Sequence, residues 1–364
     1  MNSKRESKKF PFFVCMKSDF AQLLLRWYDP AARPMPWKGE KDPYFIWVSE
    51  VILHQTRVAQ GWAYYQRFIA AFPTIESLAA ASPEAVMQLW KGLGYYRRAE
   101  HLHAGAKQVV AEFGGKLPDN LQRLQEIKGI GAYSAAAIAS FAWNIPAPAI
   151  DGNAARILSR VFCIEEMSNT STFKKLITLR AEEVIDHQNP GIFNQAMMDL
   201  GATVCVPRNP LCAVCPLQSI CVAARKNCVD SLPAIKPKNS LSSLFLYYAV
   251  FQREDKIWMR QRSDSGIYRN MYDFYLTEST TLLSEKELAQ QWTREWNQTV
   301  QLTHPLVEMT QILSHRKLII HFYECGIDGA SPALNQGKWY SQDEAAGLPT
   351  PLFITKYLTL WGES

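Results

Sequence analysis

Apolar residues recur with a helical period from Ser18 to about Val222. Asp42-Pro43 and Ser82-Pro83 each place a capping side chain before a proline, which is the pattern of a helix N-terminus. Further helices are predicted over 96–112, 132–143, 152–163, 173–185 and 191–204. Runs of alternating β-branched residues are scarce in this region. The pattern therefore predicts an all-α region of about ten helices.

The pattern changes after Cys228. A stretch rich in proline, serine and lysine predicts a linker over 229–241. Beyond it, the runs LFLYYAVFQ, KIWMRQR, MYDFYLT and KLIIHFYEC predict strands, and SEKELAQQWTREW predicts a helix. The sequence thus predicts several domains: a flexible N-terminal extension over 1–17, an all-α domain over 18–228, the linker, and an α+β domain over 242–364.

Composition and charge narrow the class of protein. Hydrophobic residues make up 48% of the 364-residue chain, which excludes wholesale disorder. No run approaches the ~18 apolar residues of a membrane helix, and the opening MNSKRESKKFPFFVC lacks the apolar core of a secretion signal. We therefore expect a cytoplasmic protein without a membrane partner. Residues 1–228 carry 26 basic and 19 acidic side chains, whereas residues 242–364 carry 11 and 14, so a polyanion is expected to bind the first part.

Four of the eight cysteines lie in one short window, Cys205-x6-Cys212-x2-Cys215-x5-Cys221. Four thiolates at this spacing can surround either a zinc ion or an iron–sulfur cluster. Zinc knuckles usually carry two CxxC pairs, and only one is present here. The wider outer spacings favour a four-iron cluster. Arg208 lies within this loop and is expected to contact a DNA phosphate.

The remaining candidate functional residues are a glycine hairpin and two carboxylates. Gly129 and Gly131 lie between two predicted helices over 124–137, where backbone N–H groups at a helix start can bind an anion. Glu50 lies in a helix that is apolar almost all round, so burial is expected to raise its pKa. Asp151 begins a helix, whose dipole favours a charged carboxylate. Each carboxylate could instead have a purely structural role, as part of an ion pair for Glu50 and as a helix cap for Asp151. Together, however, the two carboxylates suggest an acid and a base in one site.

These motifs together resemble the helix-hairpin-helix DNA glycosylases and, among them, the MutY adenine DNA glycosylases. The matching segments are PWKGEKDPYFIWVSEVILHQTRV, LWKGLGYYRRAEHL, IDGNAARILSR and FNQAMMDLGATVC. The resemblance extends from about Phe20 to Tyr357. It implies a [4Fe–4S] loop followed by a MutT-like (Nudix) domain, and excision of adenine opposite 8-oxoguanine or guanine in duplex DNA. It also implies a monomer in a bacterial cytoplasm or nucleoid.

The resemblance also implies residue roles. Glu50 would protonate adenine, Asp151 would stabilise the sugar cation, and Tyr133 and Asn153 would orient them. The expected DNA contacts are Leu53, Gln55, Tyr95, Lys128, Gly129, Gly131 and Arg208, with Ser314 and His315 reading the lesion in the second domain. The chain departs from the family's usual residues at Lys38, His54, Lys128 and Leu313.

Other functions are conceivable. An endonuclease III-like glycosylase and lyase acting on damaged pyrimidines would carry a lysine after the hairpin, where this chain has Tyr133, and would normally end soon after the cysteine loop. Tyr133 cannot form a Schiff base, so excision without strand cleavage is expected. A non-catalytic DNA sensor would not need Glu50 and Asp151. The second domain lacks an acidic hydrolase box, which argues against nucleotide hydrolysis.

Overall fold

The computed structural model of the chain describes residues 12–33, 35, 38–235, 241–263, 266–302, 305–313, 316–326 and 334–362. These residues group into two compact units. The first is made up of the described residues within 1–81 and 97–237, and the second of those within 82–96 and 238–364. Within the described ranges, no helix is long and apolar enough to cross a membrane.

Helices make up the chain before the first strand, as the periodicity predicts. They are α1 (Phe12–Trp27), α2 (Pro43–Leu53), α3 (Val58–Ala71), α4 (Ile75–Ala80), α5 (Pro83–Trp90), α6 (Arg97–Phe113), α7 (Leu121–Glu126), α8 (Ala132–Trp143), α9 (Gly152–Phe162), α10 (Ser171–Val184), α11 (Pro190–Thr203) and α12 (Val222–Arg225). Both predicted helix starts are confirmed, because the Asp42 carboxylate accepts the Tyr44 N–H and the Ser82 hydroxyl accepts the Ala85 N–H.

The core of the first unit lies between α1, α9, α10 and α11. Its side chains are fully buried, for example Phe20, Leu24, Leu158, Phe193 and Leu200. Burial of each such side chain contributes about 1.5–3 kcal/mol. This core fixes the helix α9, whose N-terminus begins with Asp151.

The first part of the predicted linker is attached to the helical unit. The Arg160 guanidinium donates hydrogen bonds to the carbonyls of Val229 and Leu232, and the Ser168 N–H donates to the Ala234 carbonyl. Leu232 is buried. At the other end of the chain, α1 begins inside the predicted extension. Both segments therefore contain more ordered structure than their composition indicates.

In the residues that the structure describes, the second unit contains α5, two four-stranded sheets and three further helices. Its elements are β1 (Ser242–Val250), β2 (Gln252–Arg253), β3 (Lys256–Gln261), β4 (Tyr272–Asp273), β5 (Tyr275–Ser279), α13 (Glu285–Trp296), β6 (Val307–Ile312), β7 (Arg316–Glu324), β8 (Lys338–Ser341), α14 (Gln342–Gly347) and α15 (Leu352–Gly362). The main sheet has the order β5-β1-β7-β6, in which β1 and β7 are parallel and the other pairs are antiparallel. β3 pairs antiparallel with β2, β4 and β8.

Strand β1 is buried on both faces. Alternate residues Leu246 and Tyr248 pack with the α15 cluster, whereas Tyr247 belongs to the cluster around Trp292 and Trp296 of α13. Helices therefore cover both sides of the sheet. The α+β architecture expected for this domain is confirmed.

Candidate active site

A cleft of about 550 Å³ opens in the first unit where the end of α2 meets the starts of α8 and α9. Six of the residues predicted from the sequence line it: Glu50, Leu53, Gln55, Tyr133, Asp151 and Asn153. They come from three separate segments of the chain. The fold thus places the candidate acid and base in one cavity.

Glu50 lies near the C-terminal end of α2 and is 8% exposed. Apart from Ser49, its neighbours on that helix are apolar, so the buried carboxylate loses most of its hydration. Burial raises the pKa of Glu50 to about 7, the Tyr133 hydroxyl opposes this shift by hydrogen bonding to the carboxylate, and the charge of Asp151 adds to it. A substantial fraction of Glu50 therefore carries a proton near neutral pH.

Tyr133 lies in the first turn of α8, directly after the glycine hairpin. Gly129 has φ +90°, the left-handed conformation expected for a hairpin glycine. Gly131 differs, because it is the N-cap of α8 with φ −87°, which any residue adopts. The hairpin packs closely on α6, where a Cβ added at Gly105 would come within 2.4 Å of the Lys128 carbonyl oxygen. Close packing of the hairpin fixes the start of α8 and with it the Tyr133 ring.

Asp151 is the N-cap of α9. One carboxylate oxygen accepts the Ala154 N–H at 2.7 Å, and the other accepts the Asn153 side-chain amide at 2.7 Å. Both bonds hold the carboxylate in one orientation, and the helix dipole favours its negative charge. Asp151 is therefore both the ordinary helix cap and a fixed negative charge in the cleft.

Arg156 supports this arrangement from the next turn of α9, a contact that the sequence reasoning missed. Its guanidinium donates to the Asn153 side-chain oxygen and the Gly201 carbonyl at 2.8 Å each, and its Nε donates to the Cys205 carbonyl at 2.8 Å. Gly201 is needed here, because a Cβ at this position would lie 2.4 Å from the Asn153 Cβ. Only the i, i+3 spacing of Asn153 and Arg156 could have signalled the pairing.

An ion-pair cluster lies beside the cleft and contains one of the departures from the family pattern. Lys38 donates to Asp199 at 2.9 Å and to the carbonyls of Pro30 and Arg33. Arg33 and Gln195, which line the cleft, also donate to Asp199. Lys38 thus stabilises the cleft wall through Asp199. Gln195 is a polar residue of the cleft lining that the sequence did not indicate.

The candidates for DNA contact lie partly at the edge of the cleft and partly away from it. Gln55 is exposed at φ +65°, next to half-buried Leu53. Lys128 and Arg208 are exposed outside the cleft lining. Tyr95 is 51% exposed and groups with the second unit. Ser314 and His315 lie outside the described residues.

The four clustered cysteines line one cavity between α9, α11 and α12. Backbone N–H groups of Leu217 and of Ala223 and Ala224 donate to the sulfurs of Cys215 and Cys221 respectively. The Arg160 guanidinium lies 3.3 Å from the Cys205 Sγ. Donors aimed at thiolates are the surroundings that iron–sulfur ligands require.

Cys221 is buried, and the other three cysteines of the set are half-buried. Burial raises the pKa of Cys215 to about 11, so a bound cation is needed to keep the sulfur ionised. Among the residues that the structure describes, no group of three or more His, Cys, Asp or Glu side chains has the spacing to hold a single metal ion. The donor set of Cys205, Cys212, Cys215 and Cys221 fits an iron–sulfur centre.

Fold, hairpin and cleft define a base-excision DNA repair protein with a cysteine loop and a second, Nudix-like domain. Family models described as "HhH-GPD superfamily base excision DNA repair protein", "Iron-sulfur binding domain of endonuclease III" and "NUDIX domain" match residues 48–181, 205–221 and 246–360. The chain is also similar to the solved structure of a thermostable thymine-DNA glycosylase, with a TM-score of 0.54 and 25% identity, over 59% of this chain and 99% of that one.

Curated relatives narrow the family further. The chain is 32% identical to human adenine DNA glycosylase, covering 89% of this chain and 70% of that protein. It is likewise 32% identical to the adenine DNA glycosylase of Buchnera aphidicola (strain Bp), covering 93% and 96%. The chain belongs to the adenine DNA glycosylases. It is a DNA N-glycosylase, a hydrolase whose macromolecular partner is DNA.

Proposed function

We propose that this enzyme removes adenine paired with 8-oxoguanine or guanine in duplex DNA and leaves the DNA strand intact. The observation that carries this proposal is the placing of Glu50, Tyr133 and Asp151 in one cleft. The glycosidic bond to be broken lies inside the duplex. The adenine nucleotide must therefore rotate out of the base stack before it can enter the cleft. The cleft volume is of the size that holds a small-molecule group.

Glu50 is the general acid. Its raised pKa, about 7, keeps a proton available at neutral pH, and N7 of adenine is the proposed acceptor of that proton. Protonation makes adenine a better leaving group. The Tyr133 hydroxyl positions the carboxyl group through its hydrogen bond. After the base departs, the same carboxylate can accept a proton from the attacking water.

Asp151 stabilises the positive charge that develops on the deoxyribose. Its two oxygens are held by Ala154 and Asn153, so little reorganisation is needed when the cation forms. The carboxylate either stays an ion pair with the sugar or forms a transient covalent bond with it, as in retaining glycosidases. Water then completes the abasic site.

DNA contacts are proposed for the exposed candidates. Leu53 and Gln55, at the cleft edge, would enter the duplex beside the extruded nucleotide. The hairpin of Lys128, Gly129 and Gly131 and the exposed Arg208 would bind phosphates, and Tyr95 would stack on a base. We also propose a monomer as the active form, and the cytoplasmic location stays a prediction.

Incubation with a duplex containing adenine opposite 8-oxoguanine tests the proposed activity. We expect cleavage of the adenine strand only after alkali or heat, because Tyr133 cannot supply the amine of a lyase. A duplex with thymine opposite 8-oxoguanine is the matched control. Strand cleavage without alkali, together with borohydride trapping of the enzyme on DNA, would contradict a glycosylase without lyase activity.

The proposed cofactor is a [4Fe–4S] cluster bound by Cys205, Cys212, Cys215 and Cys221. When bound, it supplies a cation that keeps the four thiolates ionised and fixes the loop that carries Arg208. We expect anaerobically purified protein to contain roughly four irons per chain and to absorb in the visible range. Stoichiometric zinc without iron would contradict the assignment, and Cys325→Ser is the control that leaves the iron content unchanged.

Recognition of 8-oxoguanine is proposed for Ser314 and His315, between β6 and β7. Next to them, the Leu313 N–H donates to the Arg316 carbonyl, and Leu313 packs against the domain core. The double variant Ser314→Ala/His315→Ala should lose one or two hydrogen bonds, about 1–3 kcal/mol of discrimination between 8-oxoguanine and guanine. Single-turnover excision rates on both duplexes measure this. The control is Thr303→Ala/His304→Ala, and an unchanged ratio in the first variant would exclude these residues from the role.

A further inference from the structure

Two cysteines outside the cluster loop lie side by side in the first unit. The Sγ atoms of Cys163 and Cys228 are 3.8 Å apart, and both residues are partly exposed. Neither belongs to the four-cysteine set that the sequence spacing defines. The active-site cleft does not include them. Their proximity therefore has no part in the proposed excision reaction.

The backbone around both cysteines is fixed. Cys163 ends α9 in the left-handed conformation, and its N–H bonds back to the Arg160 carbonyl. Cys228 follows α12, where its N–H donates to the Ala223 carbonyl. Arg160 joins the two segments, because its side chain donates to the Val229 and Leu232 carbonyls. The two sulfur atoms thus lie where the end of α9 and the segment after α12 are joined by hydrogen bonds.

We propose that Cys163 and Cys228 form a redox-modification site that closes to a disulfide under peroxide. A disulfide bond is ~2 Å long, so the sulfurs must approach by less than 2 Å, which side-chain rotation can supply. One thiol gives up its proton as its sulfur attacks the peroxide, so the sulfur becomes a sulfenic acid and the displaced hydroxide takes up that proton and leaves as water. The second thiol then displaces hydroxide, which leaves as water. The pair loses two protons and two electrons, and the peroxide is reduced.

The surroundings of Cys163 set the speed of this reaction. Burial, the neighbouring Cys228 and Glu165 raise its pKa, whereas Lys226 acts in the opposite direction. A thiol with a raised pKa reacts more slowly than the thiolates of dedicated sensors. The pair is therefore a site that responds to an excess of peroxide.

The position of the pair in the chain predicts that the disulfide raises the thermal stability of the protein. All four cluster cysteines lie between residues 163 and 228. A bond between these two residues closes that segment into a loop, which lowers the entropy of the unfolded chain. The oxidised protein should consequently melt several degrees higher than the reduced protein.

Peptide mapping of the iron-loaded protein tests the site. The protein is treated with hydrogen peroxide, its free thiols are alkylated with N-ethylmaleimide in denaturant, and the digest is analysed by mass spectrometry without reduction. We expect one linked pair of peptides, containing Cys163 and Cys228 and lighter by two hydrogens. The buried Cys325 in the second unit should be alkylated in the same sample. Full alkylation of both Cys163 and Cys228 would overturn the proposal, and so would a link between two chains.

Variants separate this pair from the cluster thiols. Cys163→Ser and Cys228→Ser should each abolish the linked peptides and the rise in melting temperature, with excision of adenine unchanged. Cys325→Ser should keep both effects. Visible absorption recorded before mapping reports whether the cluster survives. Links among Cys205, Cys212, Cys215 and Cys221 that appear while Cys163 and Cys228 stay reduced would also overturn the proposal.

Discussion

Glu50→Gln is expected to abolish excision of adenine while leaving binding to the mismatched duplex intact. The amide has nearly the same shape as the carboxyl group and still accepts the Tyr133 hydroxyl, but it cannot donate a proton to the base. General acid catalysis alone is worth about 10²–10⁴-fold, and loss of the base that activates water adds to it. Single-turnover rates under saturating enzyme measure the loss. The control is Glu84→Gln, which changes an exposed glutamate of α5.

The pH dependence follows from the same carboxyl group. Because Glu50 acts with its proton on and has a pKa of about 7, the single-turnover rate should fall as the pH rises through 7. Tyr133→Phe removes the hydrogen bond that lowers this pKa, so the fall should move to higher pH. A wild-type rate that rises from pH 6 to 8 would contradict the role of general acid.

In Glu50→Gln, stability and activity should change in opposite directions. The folded-state pKa of Glu50 is raised from 4.5 to about 7, so its contribution to stability is complete below about pH 4.5 and is lost as the pH rises to 7. Glutamine carries no such cost. At pH 8 the Glu50→Gln protein should therefore unfold with a free energy about 1–3 kcal/mol higher than the wild type. Denaturant unfolding at pH 5 and pH 8 measures the difference, which should be smaller at pH 5.

Asp151→Asn should also inactivate the enzyme, by about 10²–10³-fold, because a neutral amide cannot stabilise the sugar cation. Asparagine caps helices as well as aspartate does, so α9 and the melting temperature should be preserved. Asp42→Asn is the matched control, since Asp42 caps α2 in the same way but lies outside the cleft. Near-normal single-turnover rates in Asp151→Asn would remove Asp151 from the reaction.

A combined comparison of the two variants distinguishes their roles. Loss of the acid at position 50 should make the rate insensitive to pH, whereas loss of the charge at position 151 should leave the Glu50 titration visible in the residual rate. Both should retain the iron content and DNA affinity of the wild type. Parallel loss of iron in either variant would show that folding, and not chemistry, was changed.

Much of the fold could be predicted from local signals. The helix starts at Asp42 and Ser82 and the end points of α8 follow from capping residues and periodicity, which act within a few residues. Local signals predict the structure less well where contacts between distant segments determine it. Residues 229–235 look like linker by composition, but Arg160 binds their carbonyls from a helix about seventy positions earlier in the chain. Residue type likewise does not separate the two hairpin glycines, of which only Gly129 adopts a positive φ, whereas Gly131 has φ −87°.

Residue types and their local spacing already indicate the chemically active groups of this protein: a carboxyl group in an apolar helix, a second carboxylate at a helix start, a tyrosine after a glycine hairpin, and four cysteines at cluster spacing. Each of these signals is local, because it depends on residue type and on neighbours within one or two turns. Which of these groups lie close together depends on how the helices pack. The tertiary structure brought Glu50 and Asp151 into one cleft, placed Arg156 between Asn153 and the Cys205 carbonyl, and set Cys163 beside Cys228. Most of these contacts join residues from distant parts of the chain. Their geometry comes from the packing of α2 against α8 and of α9 against α11, for which no single stretch of sequence carries the information.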